Sequence, residues 1–171
     1  GCGTGVSSFI ALEHGASKVV CGDISEYMLG RAKEKATALG YDENRISFRQ
    51  LDAESLPFEK ESFDITMTGM TLGVLPNQEK AVTEMARVTR HNGLVSVGAH
   101  GPEHYWEAID ASFRAITKRY VLGYRLEYWP MKEEKARRLL ANAGIVDIQV
   151  VRHTWRNTFK NGGEAYDFFS A

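Results

Sequence analysis

Short apolar runs alternate with longer segments in which apolar residues recur every three or four positions along the first hundred residues. The short runs predict buried strands at residues 17–23, 45–52, 63–70 and 94–99. The helical spacing predicts helices over residues 6–12, from the N-cap Ser25 to Gly40, and from Pro76-Asn77 to a stop at Asn92-Gly93. Strands that alternate with helices indicate βαβ units. We therefore expect an α/β fold with a mostly parallel sheet.

The alternation of predicted strands and helices stops after the strand at residues 94–99. Residues 104–130 are rich in Tyr, Trp and Phe and contain no obvious strand. Helical spacing returns at 136–143 and closes at Gly144, and Ile145–Val151 is a further strand candidate. Residues 164–169 have the pattern of a beginning helix.

Three chemically distinctive features fall at predicted strand ends. They are the glycine loop of residues 1–5, Asp23 and Asp52. Ligands of open parallel sheets bind beyond the carboxyl ends of the strands, where an acid after a glycine loop is placed to accept hydrogen bonds from a ribose diol. A second acid on the next strand can reach the amino group of adenine. The pattern predicts a site for an adenosine-containing ligand.

The glycine loop differs from the two common phosphate-binding motifs. Val6 stands where the dinucleotide fingerprint requires glycine, and no G-K-[ST] sequence follows the loop. A G-x-G-x-G loop at the start of a helix can hold an amino-acid carboxylate instead.

Composition narrows the class of protein further. The 171 residues suit one domain, and the net charge of -1 gives no reason to expect nucleic acid or an anionic membrane as a partner. No apolar run approaches the roughly 20 residues of a membrane span, so we expect no stable membrane insertion. Cys2 and Cys21 have neither metal-ligand nor C-x-x-C spacing, and we interpret them as reduced thiols of a cytoplasmic protein. The chain does not begin with Met, so a targeting signal upstream is left open.

Five motifs stand in order at characteristic spacings. They are Gly1-Cys2-Gly3-Thr4-Gly5, Gly22-Asp23-Ile24-Ser25 with Met28-Leu29 after it, Asp52-Ala53-Glu54-Ser55-Leu56-Pro57-Phe58, Ser62-Phe63-Asp64, and Glu84-Met85-Ala86-Arg87-Val88. Together they resemble class I S-adenosylmethionine (SAM)-dependent methyltransferases. Within that class they resemble the small-molecule branch that includes the ubiquinone/menaquinone-biosynthesis-type C-methyltransferases. The resemblance covers residues 1–99 and, more loosely, 132–151.

The resemblance implies a doubly wound, Rossmann-like domain over residues 1–171. Relatives have a central strand before the glycine loop and a last antiparallel strand, and both are missing from this chain. We therefore expect a fragment that would not fold stably alone, because such a sheet leaves backbone groups unpaired. Relatives also place a substrate-covering lid after the fifth strand, which here corresponds to residues 101–131. The alternative is plain core, since the spacing of Phe113, Ile116 and Tyr120 also fits a helix that packs inward.

The resemblance also implies a role for nine residues toward SAM. Gly1, Gly3 and Gly5 would lie against its methionine part, and Gly69 would approach the sulfonium. Asp23 would hold the ribose hydroxyls and Ile24 would pack on the adenine. Asp52 would face the adenine amino group, with the Ala53 N–H nearby and Glu54 in the same turn.

The sequence assigns no catalytic residue. Displacement of the methyl group needs mainly positioning, and the His-His pair of many relatives is replaced here by Gly73 and Val74. His100, His104 and His153 are candidates for a general base or are surface or structural residues. None has metal-ligand spacing, so we expect no metal.

We therefore predict methyl transfer from SAM to a small, partly apolar molecule. One alternative is a methyltransferase acting on a macromolecule, although Gly69-Met70-Thr71-Leu72 lacks the Asn/Asp-Pro-Pro-aromatic motif of nucleic-acid base N-methylation. Another alternative is a non-enzymatic SAM-binding module that regulates a partner. The methyl-accepting atom and the oligomeric state are left open.

Overall fold

The computed structural model describes residues 1–101, 131–154 and 156–164. Helices and strands alternate in the order α1 (Val6–Glu13), β1 (Val19–Asp23), α2 (Glu26–Ala38), β2 (Ile46–Gln50), β3 (Phe63–Gly69), α3 (Gln78–Val88), β4 (Thr89–Gly98) and α4 (Glu133–Asn142). A short 3₁₀ helix, Leu72–Val74, separates β3 from α3. The predicted α/β class with parallel strands is confirmed.

The strands form two parallel pairs, each joined by a crossover helix. In the first unit β1 pairs with β2, and Asp23 lies opposite Gln50. In the second unit β3 pairs with β4, and Gly69 lies opposite Gly98. Within the described ranges no ladder joins the two pairs. The carboxyl ends of both strands of a pair lie at the same edge, which is where a ligand of a parallel sheet binds.

Side-chain caps fix where α2 and α3 begin. The Ser25 hydroxyl accepts a hydrogen bond from the Met28 N–H at 3.3 Å, and Asn77 Oδ1 accepts one from the Lys80 N–H at 3.0 Å. Each cap satisfies one of the four N–H groups that a helix leaves unpaired at its first turn. Both helices therefore begin where the sequence predicts.

Each unit has its own buried cluster. We call Phe9, Leu12, Cys21, Ala36 and Ile46 the first core cluster. We call Leu72, Ala81, Val82, Met131 and Leu139 the second core cluster, to which α4 contributes Leu139. The buried residues of α2, Leu29, Ala32 and Ala36, follow the three- and four-residue spacing seen in the sequence.

The predicted end of the third helix is wrong. The helix ends at Val88 and β4 begins at Thr89, before the Asn92-Gly93 pair that was expected to stop it. These residues form an irregularity inside β4, where the pairing with β3 shifts between Phe63 and Ile65. Asn92 has φ +60°, and a Cβ on Gly93 would stand 2.6 Å from the Asp64 carbonyl oxygen. The two residues therefore form a bulge in the strand. In the sequence, an Asn-Gly pair at a bulge looks the same as an Asn-Gly pair that ends a helix.

The predicted strand at Ile145–Val151 is also wrong. Residues 145–151 have no strand assignment, and Val146 and Val151 are mostly exposed. Asp147 has φ +53°, outside the extended region. A strand needs a partner ladder, and in the described part of the chain none lies beside this segment.

Some predictions fall on residues that the structure does not describe. The aromatic segment, with its proposed lid at 101–131, is described only at its two ends, and His104 and the predicted helix beyond residue 164 lie outside the described residues. None of the helices described is long and apolar enough to cross a membrane.

Candidate functional site

The glycine loop turns sharply into α1. Gly5 has φ +85°, and a Cβ at this position would lie 2.9 Å from Cε2 of Phe9, so only glycine fits without strain. The Gly5 N–H donates to the Cys2 carbonyl, and the Gly5 carbonyl accepts from the Phe9 N–H. The loop is therefore closed on itself and continuous with the first turn of α1.

Asp23 ties the glycine loop to the start of α2. Its Oδ2 accepts a hydrogen bond from the Gly3 N–H at 2.8 Å, and its Oδ1 accepts one from the Ser25 N–H at 3.0 Å. The residue is only 8% exposed. A carboxylate has about four lone-pair positions, so each oxygen retains one for a further donor. A pair of hydroxyls is the kind of donor that this arrangement suits.

The end of β3 meets the glycine loop from the other unit. The Thr71 hydroxyl lies 3.1 Å from the carbonyl oxygens of both Gly1 and Gly69 and can donate to either. Ser7, in the first turn of α1, also adjoins Gly69, since a Cβ there would lie 3.5 Å from its hydroxyl oxygen. Sequence reasoning missed Thr71, because no local pattern marks a hydroxyl that contacts a loop 70 residues away.

The turn after β2 holds the other predicted acids. The Leu51 N–H donates to the Asp23 carbonyl at 3.0 Å. Asp52 directly follows Leu51 and therefore lies at the same edge of the sheet as Asp23. Asp52 is exposed, and its Oδ1 accepts from the Glu54 N–H. Ala53 packs against the second core cluster.

Glu54 has a structural partner that the sequence did not predict. Its Oε1 accepts a hydrogen bond at 2.7 Å from the N–H of Asn77, the N-cap residue of α3. A carboxylate at a helix N-terminus is stabilised by the unpaired N–H groups there. Glu54 therefore fastens the turn that carries Asp52 to the second unit.

Ile24 presents an exposed apolar surface beside Asp23. Its side chain is 71% exposed, and Tyr27 and Met28 on the first turn of α2 are exposed as well. Gln50 Nε2 donates to the Ile24 carbonyl at 3.0 Å, which holds the backbone against the end of β2. A flat apolar ring could cover this surface and remove it from water.

The histidine candidates are not equivalent. His100 follows β4 at the carboxyl edge, where its carbonyl accepts from the Met131 N–H, and burial lowers the pKa of its imidazole. The lowered pKa favours the neutral imidazole, which is the form that can accept a proton. His153 is exposed in the segment after α4. In the ranges that the structure covers, no group of three or more His, Cys, Asp and Glu could hold a metal ion.

A surface cleft of about 410 Å³ lies away from this edge, between the start of α3 and α4. Its lining includes Pro76, Lys135 and Arg138 and none of the nine predicted cofactor residues. The cleft borders the candidate site only at Asn77, whose N–H donates to Glu54.

Comparison with known proteins identifies the domain. The family described as "Methyltransferase domain" matches residues 1–97, more than half of the chain. This chain belongs to the methyltransferase domain family. The matched region contains the glycine loop, both strand-end acids and β3, so all nine predicted cofactor residues of this methyltransferase domain lie within it.

Named relatives support the same family. The phosphatidylethanolamine N-methyltransferase of Cereibacter sphaeroides is 38% identical over 100 residues, which are 58% of this chain and 48% of that protein. The demethylmenaquinone methyltransferase of Desulfitobacterium hafniense is 41% identical over 96 residues, 55% of this chain and 38% of that protein. The chain thus spans about half the length, or less, of these relatives.

The fold is shared with solved methyltransferases. A SAM-dependent methyltransferase from Methanosarcina mazei matches 84% of this chain and 76% of its own with a TM-score of 0.65, at 21% sequence identity. The predicted resemblance to class I SAM-dependent methyltransferases and their Rossmann-like fold is confirmed, and SAM is the cofactor of this family. The roles of the nine individual residues stay predictions.

Proposed function

We propose that this methyltransferase domain binds SAM at the edge formed by the glycine loop, β1, β2 and β3. The observation that carries the proposal is the buried Asp23 carboxylate, which orients the loop through Gly3 and keeps lone pairs for a diol. Buried carboxylates are rare unless they are paired or hydrogen-bonded. Among the residues that the structure describes, its hydrogen-bond donors are backbone N–H groups alone, which suits a residue that binds a ligand.

The surrounding residues fit the other parts of the cofactor in this proposal. Gly1, Gly3 and Gly5 provide a surface of backbone for the methionine part, and Gly69 lies where Thr71 and Ser7 join the loop to β3. Ile24 offers an apolar face for adenine, and Asp52 offers an acceptor for its amino group. Ala53 and Glu54 shape the turn that positions Asp52.

We propose that the reaction is methyl transfer to a small, partly apolar molecule. SAM supplies a methyl group that its sulfonium already activates for displacement. The chain has to hold the acceptor in line and exclude water, and orientation alone is worth effective molarities of about 10⁵ M or more. Gly98 pairs with Gly69, and His100 follows Gly98 by two residues, so His100 lies at the same edge of the sheet as Gly69. Of the described histidines, it is the one best placed to accept a proton.

The names of two relatives support this class of acceptor. Phosphatidylethanolamine and demethylmenaquinone are both molecules with a large apolar part. The near-zero net charge favours such an acceptor over nucleic acid. Two alternative functions are tested against this proposal. One is methylation of a macromolecule, and the other is SAM binding by a regulatory module that methylates nothing.

The test is transfer of label from methyl-labelled SAM, using the full-length protein. One reaction contains a metabolite and lipid extract, a second contains RNA and DNA, and a third contains unfolded protein. Label in a low-mass, solvent-extractable product supports the proposal. Label confined to a macromolecule overturns the acceptor class, and SAM binding without any product identifies a regulatory module.

A further inference from the structure

We propose that Cys2 and Cys21 form a redox-sensitive thiol pair whose oxidation to a disulfide moves the glycine loop. The pair would be a modification site inside the candidate cofactor site. Its formation is independent of the proposed function, whereas its effect on SAM binding rests on that function.

A backbone hydrogen bond and core packing bring Cys2 close to Cys21. The Cys2 N–H donates to the Gly22 carbonyl at 2.8 Å, which attaches the glycine loop to β1 at the residue after Cys21. Cys2 packs against the first core cluster, of which Cys21 is a fully buried member. Cys2 itself is half-buried, so a small oxidant in solution reaches it first.

The two sulfur atoms interact electrostatically. A hydrogen bond from Cys2 lowers the pKa of the Cys21 thiol to about 7, and the Ser8 hydroxyl acts in the same direction against the effect of burial. The same interaction raises the pKa of Cys2, whose thiol also lies 3.6 Å from the Gly3 carbonyl oxygen. The thiolate character of the pair is therefore on Cys21, and the proton is on Cys2. Thiolate character is what makes a cysteine reactive toward disulfides.

The reaction that we propose is exchange with a low-molecular-weight disulfide, of which oxidised glutathione is the probe. The Cys21 thiolate first accepts the proton of Cys2, and the Cys2 thiolate so formed attacks one sulfur of glutathione disulfide and breaks its S–S bond. One glutathione thiolate leaves and takes up the proton. Cys21, now deprotonated, attacks the Cys2 sulfur and releases the second glutathione as a thiolate, which takes up a proton from solvent. Two protein thiols are oxidised and one glutathione disulfide is reduced to two thiols.

The disulfide changes the loop because its geometry is specific. The two sulfurs have to approach to about 2.05 Å with a dihedral angle near 90°. Cys21 is fixed in the core, so Cys2 makes the movement. Cys2 directly precedes Gly3, whose N–H donates to Asp23, and its displacement disturbs that hydrogen bond. We expect oxidation to weaken SAM binding for this reason.

The experiment equilibrates the full-length protein with reduced and oxidised glutathione at stepped ratios. Free thiols are trapped by acid and alkylation, and peptide mass identifies the disulfide. SAM affinity is measured by calorimetry on the same samples. We expect an intramolecular Cys2–Cys21 disulfide that dithiothreitol reverses. SAM affinity should fall on the order of tenfold, the loss of roughly one hydrogen bond, and should recover on reduction.

Two variants make the result specific. Cys2→Ser and Cys21→Ala each remove one sulfur, and in either variant SAM affinity should no longer depend on the glutathione ratio. Glutathione retained on Cys2 with no internal disulfide would overturn the pair. A disulfide that leaves SAM affinity unchanged would overturn the coupling to the loop. A reversible disulfide in a protein that binds no SAM when reduced would support the pair and refute the proposed cofactor site.

Discussion

Two aspartates of the chain make similar backbone contacts in different surroundings. Asp42 Oδ1 accepts from the Asn44 and Arg45 N–H groups at 3.0 and 3.1 Å on an exposed turn. Asp23 accepts two N–H groups with separate oxygens and is buried against the glycine loop. Short-range turn formation explains Asp42 fully. Turn formation does not explain the hydrogen bond between Asp23 and Gly3, which lie 20 residues apart in the sequence. That hydrogen bond positions the glycine loop.

We expect Asp23→Asn to weaken SAM binding by roughly 10- to 100-fold. The amide nitrogen cannot accept a hydrogen bond, so one backbone N–H or one ribose hydroxyl loses its partner, at about 1–3 kcal/mol. Titration calorimetry of the full-length protein measures the change. Asp42→Asn is the matched control and should leave the affinity within about twofold, since it lies outside the site. Equal affinities for Asp23→Asn and the unmodified protein would remove Asp23 from the cofactor site.

At the scale of elements, hydrogen bonds across loops decide how helices and strands join. Arg87 on α3 donates to the carbonyls of Leu56 and Phe58, at 2.9 and 2.7 Å, while Glu84 accepts from the Leu56 N–H at 2.7 Å. Nε of Arg87 also donates to Oε1 of Glu84 at 2.6 Å. This network fastens the loop before β3 to α3, and Glu54 does the same for the turn after β2.

The network predicts a pH-dependent stability. The Arg87 guanidinium lowers the pKa of Glu84 below its ordinary value of 4.5. A carboxyl whose pKa is lower in the folded state stabilises the fold above its unfolded pKa, and loses that contribution as the pH falls through the folded value. Glu84→Gln should therefore lower the free energy of unfolding by about 1–3 kcal/mol at pH 7. The difference from the unmodified protein should shrink below about pH 4.

Urea denaturation of both proteins at several pH values measures this difference. Glu43→Gln, in an exposed loop, is the control and should change little at any pH. A Glu84→Gln deficit that stays constant between pH 7 and pH 3 would show that the carboxylate charge contributes nothing.

The N-cap of α2 gives a second prediction at this scale. Ser25→Ala removes the hydroxyl that accepts from the Met28 N–H and should destabilise the protein by about 1 kcal/mol. Ser25→Asp keeps an acceptor and should restore most of the loss. The hydrogen bond from the Ser25 backbone N–H to Asp23 survives both changes, so SAM affinity should change less than stability. Thermal unfolding and calorimetry on the same samples separate the two effects.

At the scale of the whole molecule, the described residues contain two βαβ units with separate buried clusters. The first core cluster draws on α1, β1, α2 and β2, and the second draws on the 3₁₀ helix, α3 and α4. The contacts that connect the units lie at the candidate site, through the Thr71 hydroxyl to Gly1 and the Glu54 carboxylate to Asn77. Ligand binding across that edge would therefore bring both units into one site.

We expect core substitutions in different clusters to be additive. Ile46→Val in the first should cost about 0.5–1.5 kcal/mol, and Leu139→Ala in the second about 2–5 kcal/mol. The double variant should lose their sum to within about 0.5 kcal/mol, because the two side chains share no cluster. Ile46→Val combined with Phe9→Leu, within one cluster, is the comparison that should deviate. Denaturant unfolding that gave a coupling above about 1 kcal/mol between the clusters would show one continuous core.

The sequence by itself determined the features that depend on neighbours along the chain. Ser25 and Asn77 as caps, the helical spacing of α2 and α3, and the strands before Asp23 and Gly69 were predictable. Their hydrogen bonds and periodicities span only a few residues. The family was also predictable from the sequence, because the order and spacing of the motifs along the chain are enough to recognise it.

Only the tertiary structure decided which distant groups meet. The Cys2 and Cys21 contact, the Thr71 hydroxyl on Gly1 and the Glu54 carboxylate at the start of α3 have no local signature. The errors have the same origin. Asn92-Gly93 is a bulge because of how β4 pairs with β3, and residues 145–151 form no strand because pairing, not apolar character, makes one. The packing of whole helices and strands determines which distant groups form hydrogen bonds. Residues that are far apart in the sequence carry no local pattern that shows this packing, so only the folded structure reveals it.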